Sequence, residues 1–223
     1  MIKLLLQITL KYINLISGKF NKLSGIEYWR QRAKLYGRRA VVDVRYSEDG
    51  FKSLTKMQKG KILPFLKQCL KGDEKLILDF GCGAGRFTSD LAVITKGRAI
   101  GVDPVKHLLD LAPKDERVEY KLIKDGTIPL KNASVDIVWT CQVLDCIVND
   151  SELHNAINEI KRVLKRGGLV FLVENTSEKK EQEYGKFRSI QTYQRLFNFV
   201  KLRHISDYFE FGDRISIMAG RRR

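Results

Sequence analysis

Residues 76–88 read LILDFGCGAGRFT, and this stretch decides the fold of the chain. The apolar run at 76–80 predicts a buried strand, which stops at Gly81 and is followed by a helix over 86–94. Glycines at alternate positions allow a tight turn and let a ligand approach the backbone without an intervening Cβ. The spacing G-x-G-x-G differs from the G-x-G-x-x-G of dinucleotide binders, and no Lys-Ser/Thr pair follows, so a nucleoside-triphosphate loop is excluded.

Strands alternate with helices after this stretch. The pattern predicts strands at 98–102, 118–123, 135–140 and 169–173, and helices at 105–111 and 151–164, the latter ended by Arg166-Gly167-Gly168. Such alternation favours a parallel sheet covered by helices on both faces. A short helix at 190–199 precedes two strand-like runs, 203–211 and 214–219. Because only Gly212-Asp213 separates these runs, they predict a hairpin, so one terminal strand should run antiparallel.

Acidic residues fall where the predicted strands end. Asp103 lies 24 residues after Asp79, at the end of the second strand, where a carboxylate can grip two ribose hydroxyls. Asp125-Gly126-Thr127 follows the third strand, and Cys141-Gln142 follows the fourth. Open α/β sheets bind ligands at the carboxyl ends of their strands. These positions therefore predict one ligand site along that edge.

Four segments in this order resemble the class I S-adenosylmethionine-dependent methyltransferases. They are D-x-G-x-G-x-G from Asp79, the acidic Asp103, D-G-T from Asp125, and V-D-I-V-W at 135–139. The resemblance covers about residues 75–175 and extends more loosely over the tail. It implies a Rossmann-like, seven-stranded, mostly parallel sheet with an antiparallel C-terminal hairpin strand, helices on both faces and an N-terminal helical extension. It also implies S-adenosyl-L-methionine as cofactor.

The resemblance assigns a role to each cofactor residue. Asp79 would orient the loop near the methionine ammonium, and Asp103 would bind the ribose hydroxyls. Asp125 would accept a hydrogen bond from the adenine amino group. The remaining positions would line the methionine and ribose (Gly81, Cys82, Gly83, Gly85), the adenine (Pro104, Gly126, Thr127) and the sulfonium (Cys141, Gln142).

The general base leaves a weak signal, because positioning of the two reactants contributes more to methyl transfer than proton removal does. Asp145 is the first candidate among the residues just past the fourth strand, and Gln142, Cys146 and Asp150 are the others considered. A second interpretation joins Asp145 to Glu174-Asn175 as ligands of a divalent ion. Helix capping or a surface turn is the structural alternative for Asp145.

The chain before residue 73 is predicted to be helical and basic. Residues 1–25 form an amphipathic helix, and its alternatives are a membrane-surface helix, a dimer element or a helix packed on its own domain. Residues 26–72 form a basic lid region with helices at 26–39 and 54–70 and a polar loop at 40–53. Residues 73–223 form the methyltransferase core. Tyr28, Trp29, Arg32 and Tyr36 are the predicted lid residues, and simple packing on the sheet edge is the alternative.

Composition excludes several classes of protein and narrows the partners. The chain has 223 residues and a net charge of +15, and no 18-residue apolar stretch predicts a spanning helix. Residues 1–72 carry 16 Lys and Arg against 4 Asp and Glu, a net +12, whereas the rest carries +3. Four irregularly spaced cysteines are typical of reduced thiols, and three separated histidines do not predict a zinc site. We expect a cytoplasmic protein, with contact to a membrane surface through residues 1–20 as the alternative.

The absence of certain motifs narrows the class of methyl acceptor that we expect. No Asn/Asp/Ser-Pro-Pro-aromatic motif follows the fourth strand, and Cys141 is preceded by Thr140 and not by Pro. The expected reaction is therefore O-methylation of a small-molecule, sugar or lipid-linked acceptor by in-line displacement. Two alternatives stay open: an RNA methyltransferase that uses the basic N-terminal third as a phosphate-binding surface, and a non-catalytic scaffold that keeps the cofactor site.

Overall fold

The fold is an α/β structure with a seven-stranded sheet. A computed structural model describes Leu23, residues 25–179 and residues 184–223. The α-helices are α1 (Gly25–Tyr36), α2 (Glu48–Cys69), α3 (Thr88–Ile94), α4 (Lys106–Asp110), α5 (Asp150–Val163) and α6 (Ile190–Leu196), with 3₁₀ turns at Gly37–Val41 and Leu144–Cys146. The strands are β1 (Leu76–Phe80), β2 (Arg98–Asp103), β3 (Val118–Leu122), β4 (Val135–Cys141), β5 (Leu164–Asn175), β6 (Arg203–Glu210) and β7 (Asp213–Arg221).

The sheet has the strand order β3-β2-β1-β4-β5-β7-β6. Strands β1 to β5 pair in parallel, and β7 is antiparallel to both β5 and β6. The order reverses at β1, whose neighbours are β2 and β4, so the carboxyl ends of these strands open a crevice between their crossover connections. The predicted parallel sheet with an antiparallel terminal strand is confirmed.

Two helix boundaries differ from the sequence predictions. The polar loop predicted at 40–53 was wrong in its second half, because α2 already begins at Glu48. Ser47 caps this helix: its hydroxyl accepts the Gly50 N–H at 3.1 Å, and two acidic residues follow in the first turn. Helix α5 ends at Val163, and Arg166-Gly167-Gly168 belongs to the irregular start of β5 and not to the helix end.

Two apolar layers hold the sheet between its helices. One layer packs α5 and α6 on one face of the sheet, and the other packs α2 and α3 on the opposite face. Trp139 of β4 is fully buried in the second layer, with its ring stacked 5.2 Å from Phe171 and tilted 5.5 Å from Phe87. Large buried aromatic rings contribute strongly to core stability, so this layer fixes where β4 ends and the site begins.

The region before the sheet is helical, as predicted, where the structure describes it. Ala33 of α1 packs with Val105 and Leu108 beside α4, which places α1 across the carboxyl edge of the sheet. The predicted amphipathic helix at 1–25 lies outside the described residues, apart from Leu23 and Gly25. None of the helices within the described ranges combines the length and the hydropathy needed to cross a bilayer.

Candidate active site

A cavity of about 730 Å³ opens at the carboxyl edge of the sheet, beneath α1. This volume lies in the range of ligand sites for small molecules. The cavity wall contains eleven of the residues predicted from the sequence: Trp29, Asp79, Gly81, Cys82, Gly83, Asp103, Pro104, Asp125, Gly126, Cys141 and Gln142. The tertiary structure therefore brings together residues that lie more than 100 positions apart in the chain.

The glycine loop after β1 folds back on β2. The N–H groups of Gly81 and Cys82 both donate to the Val102 carbonyl, at 2.8 and 3.1 Å. Gly81 has φ +72°, and a Cβ at this position would lie 2.3 Å from a methyl of Val143. Only glycine combines this backbone angle with so close a neighbour. The loop therefore packs directly against Val143, in the segment that follows β4.

Asp103 is held by the loop that it faces. Its carboxylate accepts the Gly83 N–H at 2.9 Å and the Val105 N–H at 2.8 Å. Burial nevertheless raises the pKa of Asp103 to about 6. A carboxylate offers about four lone-pair sites, so two such bonds leave acceptor capacity for ligand hydroxyls. This geometry is compatible with the ribose-binding role that the resemblance implies.

Asp79 is the second buried carboxyl of the cavity wall. It accepts the Thr88 hydroxyl at 2.7 Å, and burial raises its pKa to about 7. Asp103 adds a smaller upward effect, and the guanidinium of Arg86 opposes it. A cation bound in the cavity would favour the ionised form and would relieve part of the cost of burying the charge.

The far end of the cavity is formed by a tight turn after β3. Asp125 and Gly126 have φ values of +50° and +70°, and the Thr127 N–H closes the turn by donating to the Lys124 carbonyl at 2.9 Å. The side-chain amide of Asn155 reaches the Gly126 carbonyl at 3.5 Å. Thr127 does not line the cavity, because its N–H serves the turn itself; this differs from the predicted contact.

Gly85 also lies off the cavity wall, contrary to its predicted place beside the ligand. It has φ +72°, and a Cβ there would lie 2.4 Å from the hydroxyl of Tyr120. The third glycine of the motif is therefore required for packing against β3. The first two predicted glycines, Gly81 and Gly83, do line the cavity.

The segment after β4 is fixed by Glu174 at the end of β5. This buried carboxylate accepts the Thr140 hydroxyl at 2.6 Å and the backbone N–H groups of Val143, Leu144 and Asp145 at 3.1 to 3.3 Å. Burial and the neighbouring Asp145 raise the pKa of Glu174 well above its ordinary value. Since these bonds engage both carboxylate oxygens, Glu174 positions the cavity wall and is poorly placed as a metal ligand.

Asp145, the predicted base, does not reach the cavity wall. Its carboxyl is buried beside Glu174, Cys146 and the Asn175 backbone, and burial raises its pKa to about 6. The preceding residues Gln142 and Val143 form the wall instead. The cause is the 3₁₀ turn at Leu144–Cys146, which turns Asp145 inward.

Helix α1 covers the cavity with a different face from the predicted one. Trp29 lines the cavity together with Ile26 and Arg30, whereas Tyr28, Arg32 and Tyr36 do not. The Arg32 guanidinium donates to the carbonyls of Ala40 and Val42 at 2.5 and 2.6 Å and to the Tyr28 hydroxyl at 2.8 Å. Tyr28 also stacks on Tyr184, at 5.0 Å. These three predicted lid residues therefore anchor the helix and leave the contact with the cavity to its neighbours.

Several residues of the cavity wall were given no role in the sequence analysis, and they come from two parts of the chain. Arg86 and Phe87 follow the glycine motif directly and were quoted with it, but the sequence alone gave them no role. Asn155 and Glu152 belong to α5, which lies on a sheet face far along the chain. A helical spacing of three between Glu152 and Asn155 was the available signal, but such spacing is common on exposed helix faces.

Comparison with known proteins shows which family the sequence around this cavity resembles. Residues 78–172 match a family model described as a methyltransferase domain. Residues 78–172 form a methyltransferase domain. The matched range begins in β1 and ends in β5, so it includes the glycine loop, Asp103 and the end of β4, where the resemblance to class I methyltransferases places S-adenosylmethionine.

Three relatives illustrate the similarity of this methyltransferase domain to known proteins. The chain is 25% identical to wheat phosphoethanolamine N-methyltransferase 1 over 75% of this chain and 33% of that protein. It is 26% identical to malonyl-[acyl-carrier protein] O-methyltransferase of Legionella pneumophila over 71% of this chain and 57% of that protein. A Haemonchus contortus phosphoethanolamine N-methyltransferase 2, solved with phosphomonomethylethanolamine and S-adenosylhomocysteine, has a TM-score of 0.65 and 13% identity, covering 87% of this chain and 60% of that one.

These similarities extend over only part of the length of the relatives. The chain spans about a third to two fifths of the length of the first curated relatives that it matches. At 13% identity, the likeness to the Haemonchus structure shows the fold. The comparisons therefore support the methyltransferase domain and its cofactor, and the relatives differ among themselves in the atom that their names assign to methylation, nitrogen or oxygen.

Proposed function

We propose that the protein transfers the methyl group of S-adenosylmethionine to oxygen of a small-molecule, sugar or lipid-linked acceptor. The observation that carries this proposal is the cavity beneath α1, whose wall joins the two buried carboxyls Asp79 and Asp103 to the end of β4. An acceptor must enter the same cavity to reach the methyl group. A cavity of this size favours a small molecule or a flexible terminal group.

The chain's residues fit the cofactor. Asp103 retains acceptor capacity for the ribose hydroxyls, and Asp79 lies where a cationic ammonium would stabilise its ionised form. A Cβ at Gly83 would lie 2.7 Å from Val41, so the glycine lets the loop and the lid region approach each other around the ligand. Bound S-adenosylmethionine supplies an electrophilic methyl group, and the acceptor lone pair forms the new O–C bond as the C–S bond breaks towards sulfur.

Part of the positive charge of the N-terminal region is already used within the protein. Several basic side chains of the N-terminal region are already engaged: Arg38 with Glu48, Arg45 with Asp43, Lys52 with Asp49, and Lys59 with Asp90. Arg32 is used by backbone carbonyls. A phosphate-binding surface needs cations that are free to replace counterions. The excess of positive charge in residues 26–72 therefore does not by itself amount to a nucleic-acid interface.

Oxygen chemistry sets one requirement on the acceptor. A hydroxyl must lose its proton, whereas a carboxylate is already ionised near neutral pH and can attack without a base. Because Asp145 is turned away from the cavity, we propose that it positions the wall segment and does not itself accept the proton. The named activity of the Legionella relative, an O-methyltransferase acting on a malonyl group, supports oxygen as the acceptor atom.

Transfer of labelled methyl groups into separated cell fractions tests the proposal. The full chain is incubated with methyl-labelled S-adenosylmethionine and with small-molecule, lipid, RNA and protein fractions of a cell extract. Label is expected in the small-molecule or lipid fraction, and mass spectrometry of the product should place it on oxygen. Label confined to RNA would establish the alternative function, and a product methylated on nitrogen would overturn the oxygen assignment.

A cofactor-site variant provides the control. Asp103→Asn keeps the shape of the side chain but removes its charge, so at a cofactor concentration near the wild-type Kd it should strongly reduce the enzyme-dependent label while the chain stays folded. If S-adenosylhomocysteine binds the wild type and no fraction accepts label, the scaffold alternative gains the support. If that ligand does not bind at all, the cofactor assignment itself fails.

A further inference from the structure

The guanidinium of Arg86 is a cation in the cavity wall that the protein itself does not neutralise. Its Nη1 donates to the Gln58 side-chain oxygen at 2.7 Å and to the Thr55 hydroxyl at 3.4 Å, and its plane lies over the Phe87 ring, 5.1 Å from the centroid. Within the part of the chain that the structure describes, Arg86 forms no ion pair. All its named partners are neutral, although a guanidinium has five N–H donors.

A cation in such surroundings favours an anionic ligand. Burial lowers the pKa of Arg86, which reports the cost of keeping its charge away from water. The two nearest carboxyls are otherwise engaged, because Glu210 accepts the Gln58 amide at 2.8 Å and Asp79 accepts the Thr88 hydroxyl. Gln58 thus stands between Arg86 and Glu210. Buried charges are normally paired, so a ligand oxyanion would complete this arrangement.

Two further polar groups beside Arg86 have no hydrogen-bond partner in the protein except a weak contact with each other. They are the Gln142 side-chain nitrogen and the Tyr208 hydroxyl, and both atoms are buried. Tyr208 is only 7% exposed, and its hydroxyl lies next to the Gln142 amide. Tyr208 is also among the ionisable groups nearest to Arg86. Buried donors without partners are costly, and both of these can donate to an oxyanion.

The position of the three side chains assigns the ligand. Arg86 and Gln142 line the cavity, and Gln142 follows β4, whereas Tyr208 is buried beside them near the end of β6 and is not itself part of the cavity wall. The end of β4 is where we expect the sulfonium. We propose that Arg86 and Gln142, supported by the buried Tyr208 hydroxyl, bind an oxyanion of the methyl acceptor, a carboxylate or phosphate, at the inner end of the cavity. This inference rests on the proposed function and narrows its substrate class to anionic acceptors.

The methionine carboxylate of the donor has the same chemistry, so the source must be distinguished. The ionisable groups that surround Arg86 are Cys141, Glu210 and Tyr208, with a weaker influence from Asp79. Asp79 is the residue expected beside the methionine ammonium. Arg86 is therefore directed towards the ends of β4 and β6, on the acceptor side, and this favours the acceptor as the source of the oxyanion.

Binding of small anions to the protein saturated with S-adenosylhomocysteine tests the inference. Acetate, malonate, inorganic phosphate and phosphoethanolamine are titrated by calorimetry or by NMR, with acetamide and ethanolamine as probes without an oxyanion. We expect saturable binding of at least one anion and none of the two controls. Absence of anion binding, or equal binding of acetamide, would overturn the inference.

Matched variants locate the subsite. Arg86→Gln should weaken anion binding about 10- to 100-fold, because it removes a hydrogen bond to a charged group. Tyr208→Phe should also weaken anion binding, by a smaller factor, because it removes the buried hydroxyl that supports Gln142 and Arg86. Tyr193→Phe is the control, since it removes another buried hydroxyl without a partner, on the opposite face of the sheet. Thermal unfolding verifies that each variant is folded. Unchanged anion affinity in folded Arg86→Gln would contradict the assignment.

A second arm separates donor from acceptor. S-adenosylhomocysteine and 5′-methylthioadenosine, which lacks the amino-acid group, are titrated into Arg86→Gln and the wild type. We expect both ligands to keep their affinity in the variant. A selective loss of S-adenosylhomocysteine affinity would assign Arg86 to the donor's carboxylate and overturn the acceptor subsite. Since this arm measures cofactor binding directly, failure of the proposed function shows as no binding in the wild type.

Discussion

Two carboxyl side chains of the site have pKa values above their ordinary range. Burial raises the pKa of Asp79 to about 7 and that of Asp103 to about 6, although each accepts hydrogen bonds from the protein. The protein thus keeps two carboxyls in the cavity wall at a cost in stability. Such an arrangement is typical of functional sites, where a ligand replaces the water that the carboxyls have lost.

Asp103→Asn should weaken binding of S-adenosylhomocysteine about 10- to 100-fold, because a charged acceptor of the ribose hydroxyls is lost. The amide oxygen can still accept one backbone N–H, so the loop after β1 should stay in place. Isothermal titration calorimetry measures the affinity, and thermal unfolding checks the fold. An unchanged affinity in a folded variant would contradict the ribose role.

Gly81→Ala should destabilise the protein more than Gly212→Ala, although both glycines have positive φ values, +72° and +83°. The left-handed backbone costs an alanine about 1–2 kcal/mol at either position. Only at Gly81 would the new Cβ also meet a neighbour, Val143, at 2.3 Å, which adds about 1–3 kcal/mol of overpacking. Urea denaturation measures both losses, and equal losses would show that the loop after β1 relaxes freely.

At the level of elements, the lid helix α1 is held by residues that point away from the cavity. Arg32 joins it to the following 3₁₀ turn by hydrogen bonds to the Ala40 and Val42 carbonyls, and Ala33 packs it beside α4. The wall residues Ile26, Trp29 and Arg30 lie on the same helix. The tilt of α1 over the cavity therefore depends on contacts made by residues that do not line the cavity.

Arg32→Gln should loosen α1 without unfolding the sheet. We expect faster amide hydrogen exchange in residues 25–36 and a several-fold weaker affinity for S-adenosylhomocysteine, because the wall formed by Trp29 is no longer fixed. Lys34→Gln, at an exposed position of the same helix, is the control and should change neither quantity. Equal exchange in both variants would assign the attachment of α1 to apolar packing alone.

Across the whole molecule, buried carboxyls couple stability to pH. The pKa values of Asp79, Asp103 and Asp145 are raised to between about 6 and about 7 in the folded protein, above their ordinary value near 4. The folded state therefore binds more protons than the unfolded state in this range. By linkage, the stabilisation is complete below about pH 4 and is lost as the pH rises through the folded values.

The ligand-free protein should accordingly become less stable between pH 5 and pH 8. Asp145→Asn should flatten this dependence and raise the free energy of unfolding at pH 8 by about 1–3 kcal/mol, because it removes one of two adjoining buried carboxylates. Chemical denaturation over this pH range measures the effect. Asp73→Asn, at an exposed position, is the control. A steeper dependence in Asp145→Asn than in the wild type would refute the shared burial of charge with Glu174.

The order of the strands and the edge of the sheet at which the candidate site lies could both be predicted from the amino-acid pattern. Alternating apolar runs and helical patterns gave the strands, and the residues at strand ends, such as Asp79, Asp103 and Asp125, were fixed by chain order, since all parallel strands end at one edge. Local capping was harder to anticipate: Ser47 starts α2 inside a stretch whose composition is polar. Such hydrogen bonds depend on the backbone geometry and not on hydrophobic periodicity.

Which of the predicted residues line the cavity, and which support it from outside, became clear only from the packing of the elements. Helical spacing grouped Tyr28, Arg32 and Tyr36 on one face, but the position of α1 over the sheet turned Trp29 towards the cavity. Chain order placed Asp145 after β4, and the backbone N–H groups of Val143, Leu144 and Asp145, which donate to the Glu174 carboxylate, hold the turn that directs Asp145 inward. The surroundings of Arg86 could not be predicted, because they are formed by residues of α2 and β6, and local sequence patterns do not indicate contacts between such distant segments.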